Sequence, residues 1–216
     1  RSIEDAIIYF EKKWSKKEKE RFRQKGEKEA VVELHFSTGM WIRNNWIRND
    51  KDTSLGYFFI SLGVYHPDDM SSVILRSLHR RLNNKDINIE EQVESIKKYW
   101  KPIIECDKRK AKRAEEIYNS YNVGDTLVIL MPVLETNNAV YYMCPTYGWE
   151  FDSSKDLRVE GIVGRKYYLN SETNVFFDVK IIAMNRLDVK ILMKDVAIGS
   201  KVKMQPKEMT IENYNR

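Results

Sequence analysis

The chain has 216 residues, 42% hydrophobic and 12% aromatic, which is enough apolar material for one large domain or two small ones and too much for a disordered segment. No apolar run approaches the roughly 20 residues of a membrane-spanning helix, so no transmembrane segment is expected. The net charge of +5 lies in the first part: residues 1–120 hold 25 Lys and Arg against 20 Asp and Glu, while residues 121–216 hold 12 against 12.

Ser2 is placed to cap a first helix, in which Ile3, Ala6, Ile7, Phe10 and Trp14 recur at helical spacing. Ser15-Lys16-Lys17-Glu18 has the form of a capping box and starts a second, very polar helix that Gly26 ends. Its basic run, Lys12 to Lys25, reads as a solvated face, with phosphate or anionic-lipid binding as the alternative. A third helix is expected from about Glu27 to Trp46, with Val31, Leu34, Thr38 and Ile42 on its buried side. Gly39 within it costs about 1 kcal/mol against Ala, which suits a close approach by another backbone.

Asn49-Asp50-Lys51-Asp52 forms a turn cluster, and Ser54 opens a short helix that Gly63 closes. His66-Pro67-Asp68-Asp69 has the chemistry of a helix start: proline at the first turn, and carboxylates at the positive end of the dipole. Met70, Val73, Ile74, Leu78 and Leu82 give this helix its apolar face. Asn88 caps a long last helix, with Pro102 expected to kink it near its middle.

At Val123-Gly124-Asp125 the period changes from 3.6 to 2. Short β-rich runs follow at Thr126–Val133, Ala139–Cys144, Leu157–Leu169, Val175–Met184, Val189–Met193 and Lys201–Met204. Gly161 and Gly164 inside one of them predict a bulge or corner. The expected fold class is therefore α+β: an all-helical domain over residues 1–120, then a small antiparallel β-barrel of OB or SH3-like type over residues 121–216.

The strings Gly39-Met40-Trp41-Ile42-Arg43-Asn44-Asn45-Trp46, Tyr65-His66-Pro67-Asp68-Asp69-Met70-Ser71-Ser72 and Leu82-Asn83-Asn84-Lys85 resemble an uncharacterised bacterial domain family, a domain of unknown function, over roughly residues 30–100. The resemblance implies a bacterial source and a compact helical domain. It implies no activity and no catalytic residues.

Candidate ligand-binding residues are Trp41, Arg43, Asn44, Asn45 and Trp46 on one helix and His66, Asp68, Asp69 and His79 on another. The structural reading of the same residues, as a polar core network, a helix start and a solvated helix face, comes first. On an α-helix two Trp five residues apart point about 140° away from each other. Both Trp41 and Trp46 are expected to be substantially buried, which requires neighbours on two sides and makes this helix central. At least one of Arg43, Asn44 and Asn45 is expected to bond to the His66–Asp69 segment.

No GxGxxG, GxxxxGK[ST], HExxH or GxSxG string occurs, and no cofactor or metal site is indicated. Cys106 and Cys144 are too far apart for a CxxC pair and would form one bridge in an exported protein. A chain opening on Arg1 rather than Met is consistent with a removed signal peptide and an extracytoplasmic location, periplasmic or secreted; otherwise the protein is cytoplasmic.

The leading expectation is a non-enzymatic binding or interaction protein with an unknown protein or small-molecule partner. The rival is an enzyme whose site groups His66, Asp68, Asp69 and His79 with Arg43. Nucleic acid is not expected as a partner, because the barrel carries no net charge. Exposed Tyr141, Tyr142, Tyr147 or Trp149 on one barrel face would favour it through base stacking.

Overall fold

The structure is a computed structural model, and it describes residues 2–48, 54–141, 149–170, 174–208 and 210–212. It contains two compact units, Arg1–Lys101 and Pro102–Arg216. The boundary falls inside one long helix, at Pro102, whereas the sequence places the change at the end of that helix.

In the first unit, α1 (Ile3–Lys13) buries Ile3, Ala6, Ile7 and Phe10, and Ser2 and Asp5 close a capping box at its start. α2 (Lys16–Gln24) opens on the box formed by Ser15 and Glu18 and buries only Phe22. Gly26 caps the start of the next helix rather than ending α2.

That next helix is not a uniform α-helix. It runs as α3 (Glu27–Glu33), a π segment His35–Gly39, α4 (Met40–Ile42) and a second π segment Arg43–Ile47. The wide turns are carried by Gly39 N–H to Leu34 O and Arg48 N–H to Arg43 O, both at 2.8 Å. α5 (Ser54–Ser61) ends at Gly63, whose φ of +82° closes the turn at a cost only glycine avoids. The Asn49–Asp52 turn cluster lies outside the described residues.

α6 (Pro67–Leu82) is the hub of the unit. It touches α1, α2, α3, α4, α5 and both π segments. It buries Met70, Val73, Ile74, Leu75 and Leu78, each side chain stabilising the fold by about 1.5–3 kcal/mol. The sequence assigns the central place to the Gly39–Trp46 helix instead. α6 takes it because its apolar stripe is broader and continues for four turns. α7 (Ile89–Ser120) starts at Asn88, whose side chain accepts from Glu91 N–H at 3.1 Å, and Val93 joins the same core. Arg80 ties the unit together, bonding Glu27 of α3 and Glu91 of α7 at 2.9 Å each. These bonds hold the Glu91 carboxylate below its ordinary range and raise the Arg80 guanidinium further above its own.

In the second unit the later residues of α7, with Ala114 and Ile117 fully buried, accompany an antiparallel sheet. The sheet has β1 (Thr126–Met131), β4 (Leu157–Tyr168), β5 (Val175–Met184), β7 (Lys201–Met204) and β8 (Thr210–Ile211) in the order β7-β5-β4-β1-β8. A smaller sheet joins β2 (Val133–Leu134), β3 (Asn138–Ala139) and β6 (Lys190–Ile191), the last two in parallel. The architecture is thus α+β, but no closed barrel is found: among the described residues the edges β7 and β8 do not pair. Gly161 and Gly164 do mark irregularities, since the β4–β5 register shifts at Glu160/Gly161 and again between Val163 and Arg165. Cys106 is buried and disulfide-bonded, and Cys144 lies outside the described residues.

Candidate functional site

The densest polar constellation gathers around Arg43 and the start of α6. Arg43 is a buried charge, and all three of its side-chain nitrogens are engaged. Nε meets Asp68 Oδ1 at 2.9 Å, Nη1 donates to Ser71 Oγ at 3.0 Å, and Nη2 donates to the His35 carbonyl at 3.1 Å. The expected bond from the Arg43–Asn45 segment to His66–Asp69 is therefore present.

Gly39 makes room for this guanidinium. A Cβ there would meet Arg43 Nη1 and the Leu34 carbonyl, each at 3.2 Å. The close approach that this glycine serves is a charged side chain together with the widened turn of its own helix, not the backbone of a second segment, which contributes only the Leu75 side chain at 3.7 Å.

His66 caps α6, its Nδ1 accepting from Asp68 N–H at 3.3 Å. The ring also stacks on Trp100 at 5.8 Å, and Trp100 Nε1 donates to Asp69 Oδ2 at 2.7 Å. Each carboxylate of the Asp68-Asp69 pair thus serves a different neighbour. Among the described residues no three of His, Cys, Asp and Glu are grouped so as to hold a metal ion.

His79 does not join this cluster. It lies thirteen positions further along α6, about 20 Å along the axis at 1.5 Å per residue. There its buried Nε2 meets the Lys25 carbonyl at 2.9 Å, and its ring packs edge-on against Phe22 at 5.3 Å. The four-residue grouping with His79 is overturned by that separation. A helix repeats its face along its length, so residues sharing a face need not share a site.

Trp46 is buried, but Trp41 is 38% exposed, and Asn44 and Asn45 face solvent. The expectation that both Trp are buried on opposite sides fails for a definite reason. An i→i+5 ladder places residues five apart on one face, and the two indoles indeed touch, edge to face, at 4.9 Å. Tyr9 of α1 stacks on Trp41 at 5.5 Å and 11°, completing a compact aromatic group. Asn45 Nδ2 donates to the Trp41 carbonyl on its own helix at 2.8 Å.

Sequence reasoning missed Ser71, Trp100 and Tyr9. Ser71 sits within the quoted motif. Nothing local links Trp100 or Tyr9 to it, because both contacts bridge more than thirty residues. A cleft of about 200 Å³ has Trp14, Phe22 and Leu34 as its apolar walls and Glu18, Arg21 and Glu33 at its rim. None of the expected site residues lines it.

The second unit places its aromatic residues differently from expectation. Tyr141 is half-buried, and burial pushes its hydroxyl above the ordinary tyrosine range. Trp149 Nε1 donates to the buried Asp156 at 3.0 Å, and Tyr142 and Tyr147 lie outside the described residues. On β4 the exposed aromatic is Tyr168, while Tyr167 and, on β5, Phe176 are half-buried and take the outward parity of the sheet.

No curated protein and no solved structure matches the chain. Residues 1–82 match a domain of unknown function (DUF6794), a span that takes in the helices before residue 30 and ends with α6, short of Trp100.

Proposed function

We propose that the protein is a non-enzymatic binding or interaction protein, in which the Arg43 constellation is scaffold. The observation that supports this is the closure of the Arg43 network. Each of its three nitrogens has a protein partner, in Asp68, Ser71 and the His35 carbonyl, and the side chain is buried rather than turned to solvent. An active site tends to keep such groups poised and partly unsatisfied, while a scaffold satisfies them. Exposed side chains are then what a partner meets. The resemblance of the Gly39–Lys85 strings supports a bacterial source. The register shifts in β4–β5 are the kind of irregularity by which small barrels curl, and they support a sheet of that strongly bent type.

The test combines elemental analysis of the purified protein with thermal melts of His66→Ala and Asp69→Asn. Scaffold residues should lower the melting temperature, and no metal should co-purify at one equivalent per chain. A stoichiometric metal ion lost with either substitution, at unchanged stability, would favour the enzyme reading.

A further inference from the structure

We infer that the outer face of the large sheet, at its β4–β5–β7 end, binds single-stranded nucleic acid. This rests on the binding-protein reading and supplies a partner for one face of the second unit. Along β5, Val175, Phe177, Val179 and Ile181 are buried, so Phe176, Asp178 and Lys180 point the other way. On β7, Lys203 pairs with Asp178 and Lys201 with Lys180, and both lysines are exposed.

On β4 the side-chain parity changes at Gly164. Pairing passes from Val163–Val179 to Arg165–Asp178, leaving Gly164 as an extra residue. Without this bulge Arg165 and Tyr167 would share the inward parity of Val159 and Val163. The bulge re-aims them outward. Three cross-strand rungs result: Tyr167–Phe176, then Arg165–Asp178–Lys203, then Ile162–Lys180–Lys201.

The rungs combine planes with positive charge. The rings of Tyr167 and Phe176 stack at 5.7 Å and 18°. The Arg165 guanidinium lies 4.4 Å over Tyr167, and its side chain is 65% exposed. Lys203 Nζ is 5.7 Å from both ring centroids. Asp178 is the single carboxylate of the rungs and is held by Arg165 at 2.8 Å and by the Tyr167 hydroxyl at 3.2 Å.

The absence of net charge across residues 121–216 conceals this segregation. Glu160, the next outward residue of β4 after Ile162, is paired with Arg158, as is Glu212, while Asp188 pairs with Arg186 and Glu208 with Lys110. Single strands are bound by cations that follow the phosphates and planar groups that stack on bases. An acidic peptide would use the lysines and leave the planar groups idle. Duplex readout calls for a helix or ribbon that enters a groove, and an open sheet face presents neither.

The experiment is a fluorescence-anisotropy titration of labelled oligothymidine, and of the matching oligouridine, with the whole chain. With four phosphates met by Arg165, Lys180, Lys201 and Lys203, the salt slope for a single strand is about −2.8, so affinity should fall roughly 50-fold over a fourfold rise in salt. Phe176→Thr should weaken oligonucleotide binding about tenfold or more through lost stacking and leave heparin binding unchanged. The Lys201→Glu, Lys203→Glu double variant should weaken both, with circular-dichroism melts confirming that each variant is folded.

No anisotropy change at up to about 100 μM protein in low salt overturns the inference, since that range covers even non-specific binding. A folded Phe176→Thr variant that binds oligonucleotide like the parent also overturns it, reducing the face to a general polyanion surface. So does loss of binding on reversing Lys12, Lys13, Lys16 and Lys17, which would move the site to the first unit. Each of these outcomes leaves the metal and stability measurements, and with them the binding-protein reading, untouched.

Discussion

The Arg43–Asp68 pair offers the sharpest test of the scaffold, through a double-mutant cycle of Arg43→Met, Asp68→Asn and the two together. The pair is asymmetric: the Arg43 side chain is 6% exposed and that of Asp68 38%. Breaking a fully buried pair costs about 3–5 kcal/mol because a charge is stranded, while an exposed pair contributes about 0–1 kcal/mol. Arg43→Met removes the buried charge itself, and Asp68 can then take water. Ser71 keeps its bond to the Asp68 carbonyl at 2.9 Å, so the main loss is one donor to the His35 carbonyl plus the ion pair. A cost of about 2 kcal/mol follows from these terms. Asp68→Asn strands the guanidinium, which Ser71 and the His35 carbonyl only partly compensate, and should cost about 2–3 kcal/mol. The double variant should cost no more than the larger single one, giving a coupling of about 2 kcal/mol. Urea unfolding at neutral pH measures it, and for a unit of this size 2 kcal/mol corresponds to roughly 8 °C or more in melting temperature. Additivity within about 0.3 kcal/mol would refute the reasoning, showing that Ser71 and the His35 carbonyl hold Arg43 without Asp68.

Trp46→Ala should cost about 3–5 kcal/mol and Trp41→Ala only about 1 kcal/mol, because the latter gives up ring contacts rather than a buried volume; equal losses in urea melts would contradict the π-segment geometry. Gly161→Ala should destabilise the second unit by about 1–3 kcal/mol, since the new Cβ would fall 2.2 Å from Val179 Cγ1, a buried and rotamer-restricted neighbour; a melt unchanged within 0.5 °C, on the scale of about 4–8 °C per kcal/mol, would show that β5 can shift. Stability should also depend on acid pH. Lys25 holds the Glu33 carboxylate, and Arg80 the Glu91 carboxylate, below the ordinary 4.5. Folded values below unfolded ones mean that the contribution is complete above about pH 4.5 and is lost as pH falls through the folded values, so melting temperatures should hold from pH 7 to 5 and then decline; a flat profile down to pH 3 would count against these pairs.

The sequence by itself determined what depends on neighbours along the chain. The boxes at Ser2 and Ser15, the caps at His66-Pro67 and Asn88, and the left-handed glycine after α5 are local hydrogen-bond chemistry, and they stand where the residues indicate. Strands Val175–Met184 and Lys201–Met204 follow from alternation alone, and β4 differs from its expected run by one residue. Tertiary structure decided everything that turns on register. Widening the Leu34–Ile47 ladder to i→i+5 brought Trp41 onto Trp46 and set Arg43 against α6. That spacing is tolerated because Asp68, Ser71 and Gly39 accommodate the guanidinium, and these are contacts no local pattern announces. A single extra residue at Gly164 likewise turned Arg165 and Tyr167 from the inward to the outward face. Period-2 alternation specifies which residues alternate but not where the count slips. A bulge is stabilised by the partner strand, and β5 becomes that partner only once the sheet has formed. The parallel pairing of β3 with β6 and the strand order β7-β5-β4-β1-β8 have the same origin, since strand order is chosen by packing between segments distant in the chain.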